Sequence, residues 1–263
     1  MADYVIRGGR GGYDRLLLLA LDRWPDTAAL LQRAGVRPGM RAVDVGCGGG
    51  TVTLELADRV APATVVGLDM DEIKLGLAAG EAARRGIANA EFRTADVTAW
   101  DEPDSYDLVC TRFVLQHLRD PAGLLRRMWA AVRPGGVLVV EDADFEGSCC
   151  YPPCEAHDFF LRTYARVLER RGGDHELGRK LPAYALEAGV TEPEITLAQS
   201  VCLRGDTKML AWSTLDATAD AIVAEGVASR EEVGTALDAL ASYSREPRTI
   251  ICGPRIFQLW ATK

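Results

Sequence analysis

The chain has 263 residues and a formal net charge of -8. This length fits one large α/β domain with insertions or two small domains, and the acidic balance excludes a general attraction to nucleic acid or anionic membranes, which bind basic surfaces. The longest early apolar run, Leu16 to Leu21, is too short to span a bilayer. Seven scattered cysteines favour reduced thiols over a disulfide framework, so we expect a soluble, cytoplasmic protein.

The first part of the chain alternates between helical and extended patterns. Leu16 to Ala34 is apolar at helical spacing, with a predicted break at Trp24-Pro25. Strands are then predicted at Arg41–Val45, Thr64–Asp69, Ala90–Thr94, Tyr106–Thr111 and Val137–Asp142, and helices at Thr51–Val60, Asp71–Arg85 and Pro121–Val132. Strands such as VVGLD and VLVVED lack in/out alternation, as expected when helices cover both faces of a parallel sheet. The predicted fold is therefore a doubly wound α/β domain.

The second part of the chain is mostly helical. We predict strands at Ile195–Leu203 and Thr249–Thr262, and helices at Glu155–Arg171, Leu181–Ala188, Thr207–Ala224 and Arg230–Ser244. Two helical insertions, residues 148–192 and 204–246, would form a lid over the ligand edge of the sheet. The predicted single domain thus comprises an N-terminal arm and helix (1–35), a core (36–147), the insertions, and final strands at 193–203 and 249–262.

A glycine-rich turn follows the first strand of the predicted core. Asp44 to Gly50 reads DVGCGGG, and glycines there tolerate positive φ and let a ligand approach the backbone closely. A dinucleotide site prefers G-x-G-x-x-G/A, but the third small position is occupied by Thr51, which disfavours an NAD-linked oxidoreductase. The turn also contains no lysine to neutralise phosphates, so the pattern favours a nucleoside ligand without phosphates.

Several segments together resemble the class I S-adenosylmethionine-dependent methyltransferases, from about Val36 to Asp144. DVGCGGG matches the first motif of that family, and Asp69 ends the second strand 23 residues after Gly46. EFRTADV places Asp96 after the third strand, and YDLVCTRFVLQHL and VRPGGVLVVED resemble the fourth and fifth strand segments. The resemblance implies a mostly parallel seven-stranded sheet whose last strand is antiparallel.

The resemblance also implies how S-adenosylmethionine is bound and S-adenosylhomocysteine released. Backbone N–H groups of Gly46 and Gly48 would meet the methionine end, and Asp44 its ammonium group. Asp69 would accept the ribose hydroxyls and Asp96 the adenine amino group. Other residues placed along the cofactor are Cys47, Met70, Lys74, Val97 and Arg112, with Tyr4 or Arg7 of the N-terminal arm folding over its carboxylate. A flexible terminus is the alternative for that arm.

The expected reaction is methyl transfer to a small molecule by in-line displacement, at oxygen, nitrogen or carbon. The resemblance is to enzymes of quinone biosynthesis and natural-product tailoring. His117 is the first candidate for a general base, and Asp142 competes with Glu141 and Asp144 at the end of the fifth strand. The alternative is a protein of the same fold that keeps the cofactor pocket without methylating, as a pericyclic catalyst or partner subunit.

Other motifs suggest no separate function. Cys110 to Phe113 replaces the N/D-P-P-Y/F/W sequence of amino- and base-methylating relatives, which disfavours DNA or glutamine methylation. Two Arg-Gly-Gly triplets in an acidic chain do not make an RNA-binding region. Cys149, Cys150 and Cys154 with His157 lack the spacing of a metal site, so no metal is predicted. A homodimer is left open.

Overall fold

Buried apolar strands and amphipathic helices alternate along the chain. The computed structural model describes residue 6 and residues 9–263. Its strands are β1 (Ala42–Val45), β2 (Val65–Asp69), β3 (Ala90–Thr94), β4 (Tyr106–Arg112), β5 (Val132–Asp144), β6 (Cys149–Tyr151), β7 (Glu194–Ala198), β8 (Val201–Cys202), β9 (Ile250–Cys252) and β10 (Arg255–Thr262). Its helices are α1 (Gly9–Arg33), α2 (Thr51–Val60), α3 (Glu72–Arg85), α4 (Pro121–Ala131), α5 (Glu155–Arg170), α6 (Leu177–Glu187), α7 (Leu210–Ala224) and α8 (Arg230–Arg245).

The central sheet has seven strands in the order β3-β2-β1-β4-β5-β10-β7. β1 pairs in parallel with β2 and β4, whereas β10 runs antiparallel to both β5 and β7. All four residues of β1 are buried, as expected for a strand with a helix layer on each face. The predicted doubly wound sheet with one antiparallel strand near its end is therefore confirmed.

Two hydrophobic cores flank the sheet. One contains Leu30 and Leu31 of α1 together with Leu56 of α2. The other contains Leu125 of α4 and Leu181 of α6. The prediction that α6 belongs to a lid is wrong, because its apolar side chains pack in the core on the sheet. Of the helices in the predicted lid, α5, α7 and α8 lie outside the layers that cover the sheet.

Helices α5, α7 and α8 form a third core, which we call the helical cover. Its centre comprises buried aromatic and branched side chains of all three helices: Phe160, Tyr164, Val167, Leu215, Ile222 and Leu240. α8 begins with a capping box, in which Ser229 and Glu232 each accept a backbone N–H of the other. The cover therefore has its own apolar interior and stands as a unit against the end of the sheet.

A small second sheet was not predicted from the sequence. β6, β9 and β8 pair antiparallel in the order β6-β9-β8, so each of the two predicted final strands is split in two. The split in the last strand falls at Gly253-Pro254, where the missing proline N–H interrupts a ladder. A local run of β-branched residues does not reveal that its two halves join different sheets.

Helix α1 runs without interruption through Pro25, so the predicted break at Trp24-Pro25 is wrong. A proline inside a helix removes the hydrogen bond to the carbonyl four residues earlier, here that of Leu21. Leu21 is 66 % exposed, so water can solvate that carbonyl. The helix thus passes over the carboxyl end of the sheet as one element.

Candidate active site

The glycine-rich turn between β1 and α2 is built from left-handed residues. Gly46, Gly48 and Gly50 have φ values of 73°, 54° and 73°. A Cβ on Gly46 would lie 2.4 Å from Cγ2 of Val114, and one on Gly50 would lie 2.7 Å from Cβ of Ala78. Glycine is therefore required at both positions for conformation and for space.

Backbone N–H groups of this turn are already used inside the protein. Those of Gly46 and Cys47 both donate to the carbonyl of Leu68 at 2.8 Å, and that of Gly48 donates to Oδ2 of Asp69 at 2.8 Å. The expectation that the Gly46 and Gly48 N–H groups receive the methionine end of the cofactor is therefore corrected. These bonds tie the turn to the end of β2 instead.

The two carboxylates predicted to hold the nucleoside lie at the ends of neighbouring strands. Besides the Gly48 N–H, Asp69 accepts the N–H of Asp71 on Oδ1 at 2.9 Å, which fixes the carboxylate at the mouth of the turn. Asp96 accepts the backbone N–H and the hydroxyl of Thr98, and these bonds lower the pKa of Asp96. Each oxygen has a second lone pair, so both carboxylates keep acceptor capacity for a ligand.

Asp44 lies beneath the turn and is fully buried on the α2 side of the sheet. Its Oδ2 accepts the hydroxyl of Thr53 at 2.7 Å. Burial raises the pKa of Asp44 to about 6, although the Thr53 bond and the charge of Arg112 oppose the shift. Asp44 thus holds the first turn of α2 in place and contributes negative charge below the ligand.

One cavity of about 1460 Å³ collects most of the predicted site residues. It is bounded by the strand ends on one side and by α1, α5 and α7 on the other. The predicted residues that line it are Asp44, Gly46, Cys47, Gly48, Asp69, Met70, Lys74, Asp96, Val97, Arg112 and His117. Residues about 70 positions apart in the chain are brought together because parallel strands end at the same edge.

His117 ends a short 3₁₀ turn after β4 and faces the cavity. Burial lowers the pKa of His117 to about 3, and the charges of Arg15 and Lys74 act in the same direction. A base this weak is poorly matched to taking a proton at neutral pH. His117 is therefore a neutral imidazole in this cavity, suited to hydrogen bonding.

The other predicted base, Asp142, does not line the cavity. It is fully buried on the opposite face of the sheet, where it accepts the backbone N–H groups of Gln116 and Ala143. Burial raises the pKa of Asp142 to about 7, and its carboxylate bonds to the backbone of Gln116 and Ala143, which do line the cavity. Its observed role is to hold the backbone that carries Gln116.

Glu141 and Asp144 are likewise held by protein partners. Glu141 accepts the hydroxyl of Thr27 and the amide of Gln258, each at 2.7 Å. Asp144 pairs with Arg179 and Arg255 at 2.7 and 2.8 Å. Glu141 is therefore a buried hydrogen-bond acceptor, and Asp144 is the counter-charge of two arginines, at the end of β5.

The cationic side chains of the site have different hydrogen-bond and ion-pair partners. Lys74 pairs with Asp71 at 3.5 Å. Arg112 donates to Thr27, and burial lowers the pKa of Arg112 while the charges of Glu141 and Asp44 oppose that shift. Arg23, which the sequence did not single out, lies 2.5 Å from Asp22.

Several residues of the cavity wall were not predicted. Arg15 and Leu16 come from α1, Gln116 from the segment after β4, and Phe145 from the segment after β5. Among the aromatic side chains of the cover, Phe160 and Tyr164 line the cavity, whereas Phe159 and Trp212 pack against the apolar core of the cover. Tyr4 and Arg7 lie outside the described residues.

The cysteines and the long helices carry no further site. Among the described residues, no three His, Cys, Asp or Glu side chains are grouped so that they hold a metal ion. Cys149 and Cys252 lie directly opposite each other on β6 and β9, and Cys252 and Cys202 reach the cavity wall. Within residues 9–263, no helix is long and apolar enough to cross a membrane.

A family model described as a methyltransferase domain matches residues 37–169, just over half of the chain. The matched segment contains the glycine turn, the two carboxylates predicted to hold the nucleoside and the 3₁₀ turn of His117. The chain belongs to this methyltransferase family. This confirms the predicted class of enzyme and its cofactor, S-adenosylmethionine.

The chain is also similar to individual methyltransferases and to solved structures of the same fold. An uncharacterised methyltransferase of Schizosaccharomyces pombe is 29 % identical over 197 residues, which are 72 % of this chain and 70 % of the relative. A ubiquinone biosynthesis O-methyltransferase of Aeromonas salmonicida is 38 % identical over 42 % of this chain and 46 % of its own length, so the match spans about half of that relative. The crystal structure of the [4+2]-cyclase SpnF has a TM-score of 0.56 at 20 % identity, covering 93 % of this chain and 81 % of that chain, which shows the shared fold.

Proposed function

We propose that the methyltransferase transfers a methyl group from S-adenosylmethionine to a small organic acceptor bound between the strand ends and the helical cover. The observation that carries this proposal is the continuity of the cavity from Asp69 and Asp96 to Phe160 and Tyr164. A cofactor whose nucleoside is bound at Asp69 and Asp96 would direct its methyl-bearing sulfonium towards the side of the cavity that Phe160 and Tyr164 form. The Aeromonas salmonicida relative is named as an O-methyltransferase, which supports an oxygen acceptor.

The size of the cavity supports two ligands. Sites for a single small molecule enclose roughly 300 to 1000 Å³. The observed volume of about 1460 Å³ exceeds that range. Room therefore remains for a second small molecule once the cofactor fills the turn side.

The cover side supplies an aromatic wall for the acceptor. The rings of Phe145 and Tyr164 lie 4.7 Å apart, and those of Phe160 and Tyr164 lie 6.1 Å apart. His157 adds its ring 6.2 Å from Phe160, and burial lowers the pKa of His157, which keeps it neutral. Such a wall fits the apolar or planar body of an acceptor better than a strongly hydrated molecule.

Catalysis by these residues rests on placement. The sulfonium of the bound cofactor supplies an activated methyl group, so the protein need not create an electrophile. Holding the acceptor in line and away from water contributes on the order of 7 to 11 kcal/mol in well-oriented reactions. Neutral His117 would donate to or accept from the acceptor and fix its orientation, and the acceptor's proton would leave to water or to a substrate group.

The test is methyl transfer from radiolabelled S-adenosylmethionine to a panel of small hydroxyl, carboxyl and amine compounds. We expect label in at least one compound with the wild-type chain and strongly reduced label with Asp69→Asn. The lost charge-assisted contacts of Asp69 are worth about 1.5 to 3 kcal/mol each, which corresponds to an approximately 10- to 150-fold weaker cofactor. Asp58→Asn, on the exposed side of α2, is the matched control and should transfer label normally.

The result also separates the proposal from its alternative. A protein that binds S-adenosylhomocysteine tightly but labels no compound would support a non-methylating role, which this fold permits because fold alone does not decide chemistry. A larger rise in melting temperature with NAD than with S-adenosylhomocysteine would contradict both the proposed methyl transfer and the non-methylating alternative.

A further inference from the structure

Gln116 is a buried side chain whose carboxamide has no hydrogen-bond partner among the described residues. It lies in the 3₁₀ turn after β4 and is 4 % exposed. Its Oε1 is buried and accepts no hydrogen bond, and its Nε2 donates to no residue that the structure describes. A buried polar group without a hydrogen bond is unfavourable, so we expect this carboxamide to bond with a group from outside the chain.

The backbone of Gln116, in contrast, is held from two sides. Its N–H donates to Oδ2 of Asp142 on β5 at 3.1 Å, and its carbonyl accepts the N–H of Asp174 at 2.8 Å. Gly173 approaches the same carbonyl so closely that a Cβ at position 173 would overlap it. The residue is therefore fixed in place while the polar atoms of its side chain remain uncommitted, which is the arrangement that a ligand-binding residue requires.

Gln116 adjoins the aromatic wall of the cavity. Asp174, which donates to its carbonyl, is followed by His175, whose own carbonyl accepts the N–H of Phe145 at 2.9 Å. The ring of Phe145 lies 4.7 Å from that of Tyr164. Gln116, Phe145 and Tyr164 all line the cavity, so a molecule bound at Gln116 would have its body beside these rings.

The same segment also contacts the glycine turn. Val114, two residues before Gln116, packs against the Cα of Gly46, where no Cβ fits. His117, the next residue after Gln116, also lines the cavity. The segment from Val114 to His117 therefore connects the cofactor's turn with the aromatic wall, and Gln116 lies between the two.

The carboxamide of Gln116 restricts the chemistry of its partner. Its oxygen only accepts hydrogen bonds, and its nitrogen only donates them. A hydroxyl group can donate to that oxygen and accept from that nitrogen, whereas a carboxylate only accepts and an ammonium group only donates. A half-turn of the carboxamide exchanges its oxygen and nitrogen, and a hydroxyl group suits both orientations. Gln116 therefore favours an uncharged hydroxyl group.

We propose that the carboxamide of Gln116 binds a hydroxyl group of the methyl acceptor, whose planar body lies against Phe145 and Tyr164. This rests on the proposed function, since it describes the acceptor of that reaction as an uncharged hydroxy compound with an apolar body. A hydroxyl group that bonds with the carboxamide takes the place of water there without loss of hydrogen bonds. An ionised organic acid has no such complementarity to Gln116.

The test uses naphthalene probes that differ in one substituent: 2-naphthol, 2-methoxynaphthalene and 2-naphthoate. The methoxy compound cannot donate a hydrogen bond to Gln116, and the naphthoate is an anion. Binding is measured by equilibrium dialysis on protein saturated with S-adenosylhomocysteine, for wild type and for Gln116→Met, which keeps an unbranched side chain without its polar atoms. Gln32→Met, at an exposed glutamine of α1, is the matched control, and circular dichroism checks that each variant is folded.

We expect wild type to bind 2-naphthol about 2- to 12-fold more tightly than 2-methoxynaphthalene, which is the range of one neutral hydrogen bond. Gln116→Met should lose this preference and Gln32→Met should keep it, while the affinity for S-adenosylhomocysteine changes less than about twofold in both. If Gln116→Met does not fold, the same comparisons are made with Gln116→Ala.

Several results would overturn the proposal. Wild type that does not bind 2-naphthol, or that binds 2-naphthoate more tightly, would show that the site does not select a hydroxyl group. An unchanged preference in Gln116→Met would show that another residue makes the selection. A comparable weakening of S-adenosylhomocysteine in that variant would show a merely structural role for Gln116.

Methyl transfer from radiolabelled S-adenosylmethionine separates this proposal from the proposed function. In the panel of small compounds, Gln116→Met should lower the label in hydroxyl compounds more than the label in amines. If wild type selects 2-naphthol through Gln116 but labels no compound, the proposed function fails and the hydroxyl site stands. If wild type and Gln116→Met label the same compounds equally, the proposed function stands and the role of Gln116 is refuted.

Discussion

Substituting Gly46 by alanine tests whether the turn owes its shape to one close contact. Alanine at φ 73° costs about 1 to 2 kcal/mol, because a Cβ disfavours the left-handed region. The new Cβ would also lie 2.4 Å from Cγ2 of Val114, and relieving such overpacking costs typically about 1 to 3 kcal/mol. We therefore expect Gly46→Ala to lower the free energy of unfolding by about 2 to 5 kcal/mol.

A double-mutant cycle separates the two causes. Val114→Ala alone removes two methyl groups, worth about 1.6 kcal/mol, from a partly buried side chain. In the double variant the overlap disappears and the backbone cost remains. Its loss of stability should therefore be about 1 to 3 kcal/mol smaller than the sum of the two single losses.

The assay is urea-induced unfolding of wild type, both single variants and the double variant, with and without S-adenosylhomocysteine. Gly46→Ala should also weaken the ligand, because Val114 and the turn both line the cavity. If the two single losses simply add, the contact between Gly46 and Val114 contributes nothing, and the steric account of this glycine is wrong.

Three further predictions concern titration and strand register. His117 has a folded-state pKa of about 3 against an ordinary 6.5, so the unfolded chain binds more protons than the folded chain between these pH values. The free energy of unfolding should therefore fall as the pH drops below 6.5. In urea titrations at several pH values, His117→Gln should make this fall smaller. Asp44 should have the opposite effect on the pH dependence of stability, because its folded-state pKa of about 6 lies above the ordinary 3.8. The free energy of unfolding should fall as the pH rises from 3.8 to 6, so Asp44→Asn should be more favourable to stability at pH 7 than at pH 4. Equal effects at the two pH values would contradict the raised pKa. Because Cys149 and Cys252 are directly opposite on β6 and β9, oxidation with diamide should join them in a disulfide that peptide mapping detects in wild type and not in Cys149→Ser. Absence of this disulfide from oxidised wild type would contradict the register.

The parallel part of the fold was accessible from the sequence because its signals are local. Several strands of the first half contain short apolar runs, and VVGLD ends at the polar residue Asp69. Parallel strands align their carboxyl ends, so the order of such runs along the chain already places Asp69 and Asp96 at one edge. The cavity confirms that these residues share one wall.

The second half of the chain was less accessible because its signals are tertiary. Leu177 and Leu181 give an amphipathic helix, but nothing in that pattern distinguishes a helix on the sheet from a helix in the cover. The pairing of β9 with β6 and β8 joins segments about 50 to 100 residues apart. Periodicity identifies a buried face without identifying its partner.

The chemistry of His117 shows how such distant contacts change a site. From the sequence alone, an imidazole after β4 is a reasonable base, since its ordinary pKa is near neutrality. In the folded chain, burial removes its solvation, and Arg15 is held near it by Thr214, 199 residues further along. The imidazole that the local sequence suggests as a base is therefore a weak one in the folded chain, because burial and two cations from distant parts of the sequence act on it together.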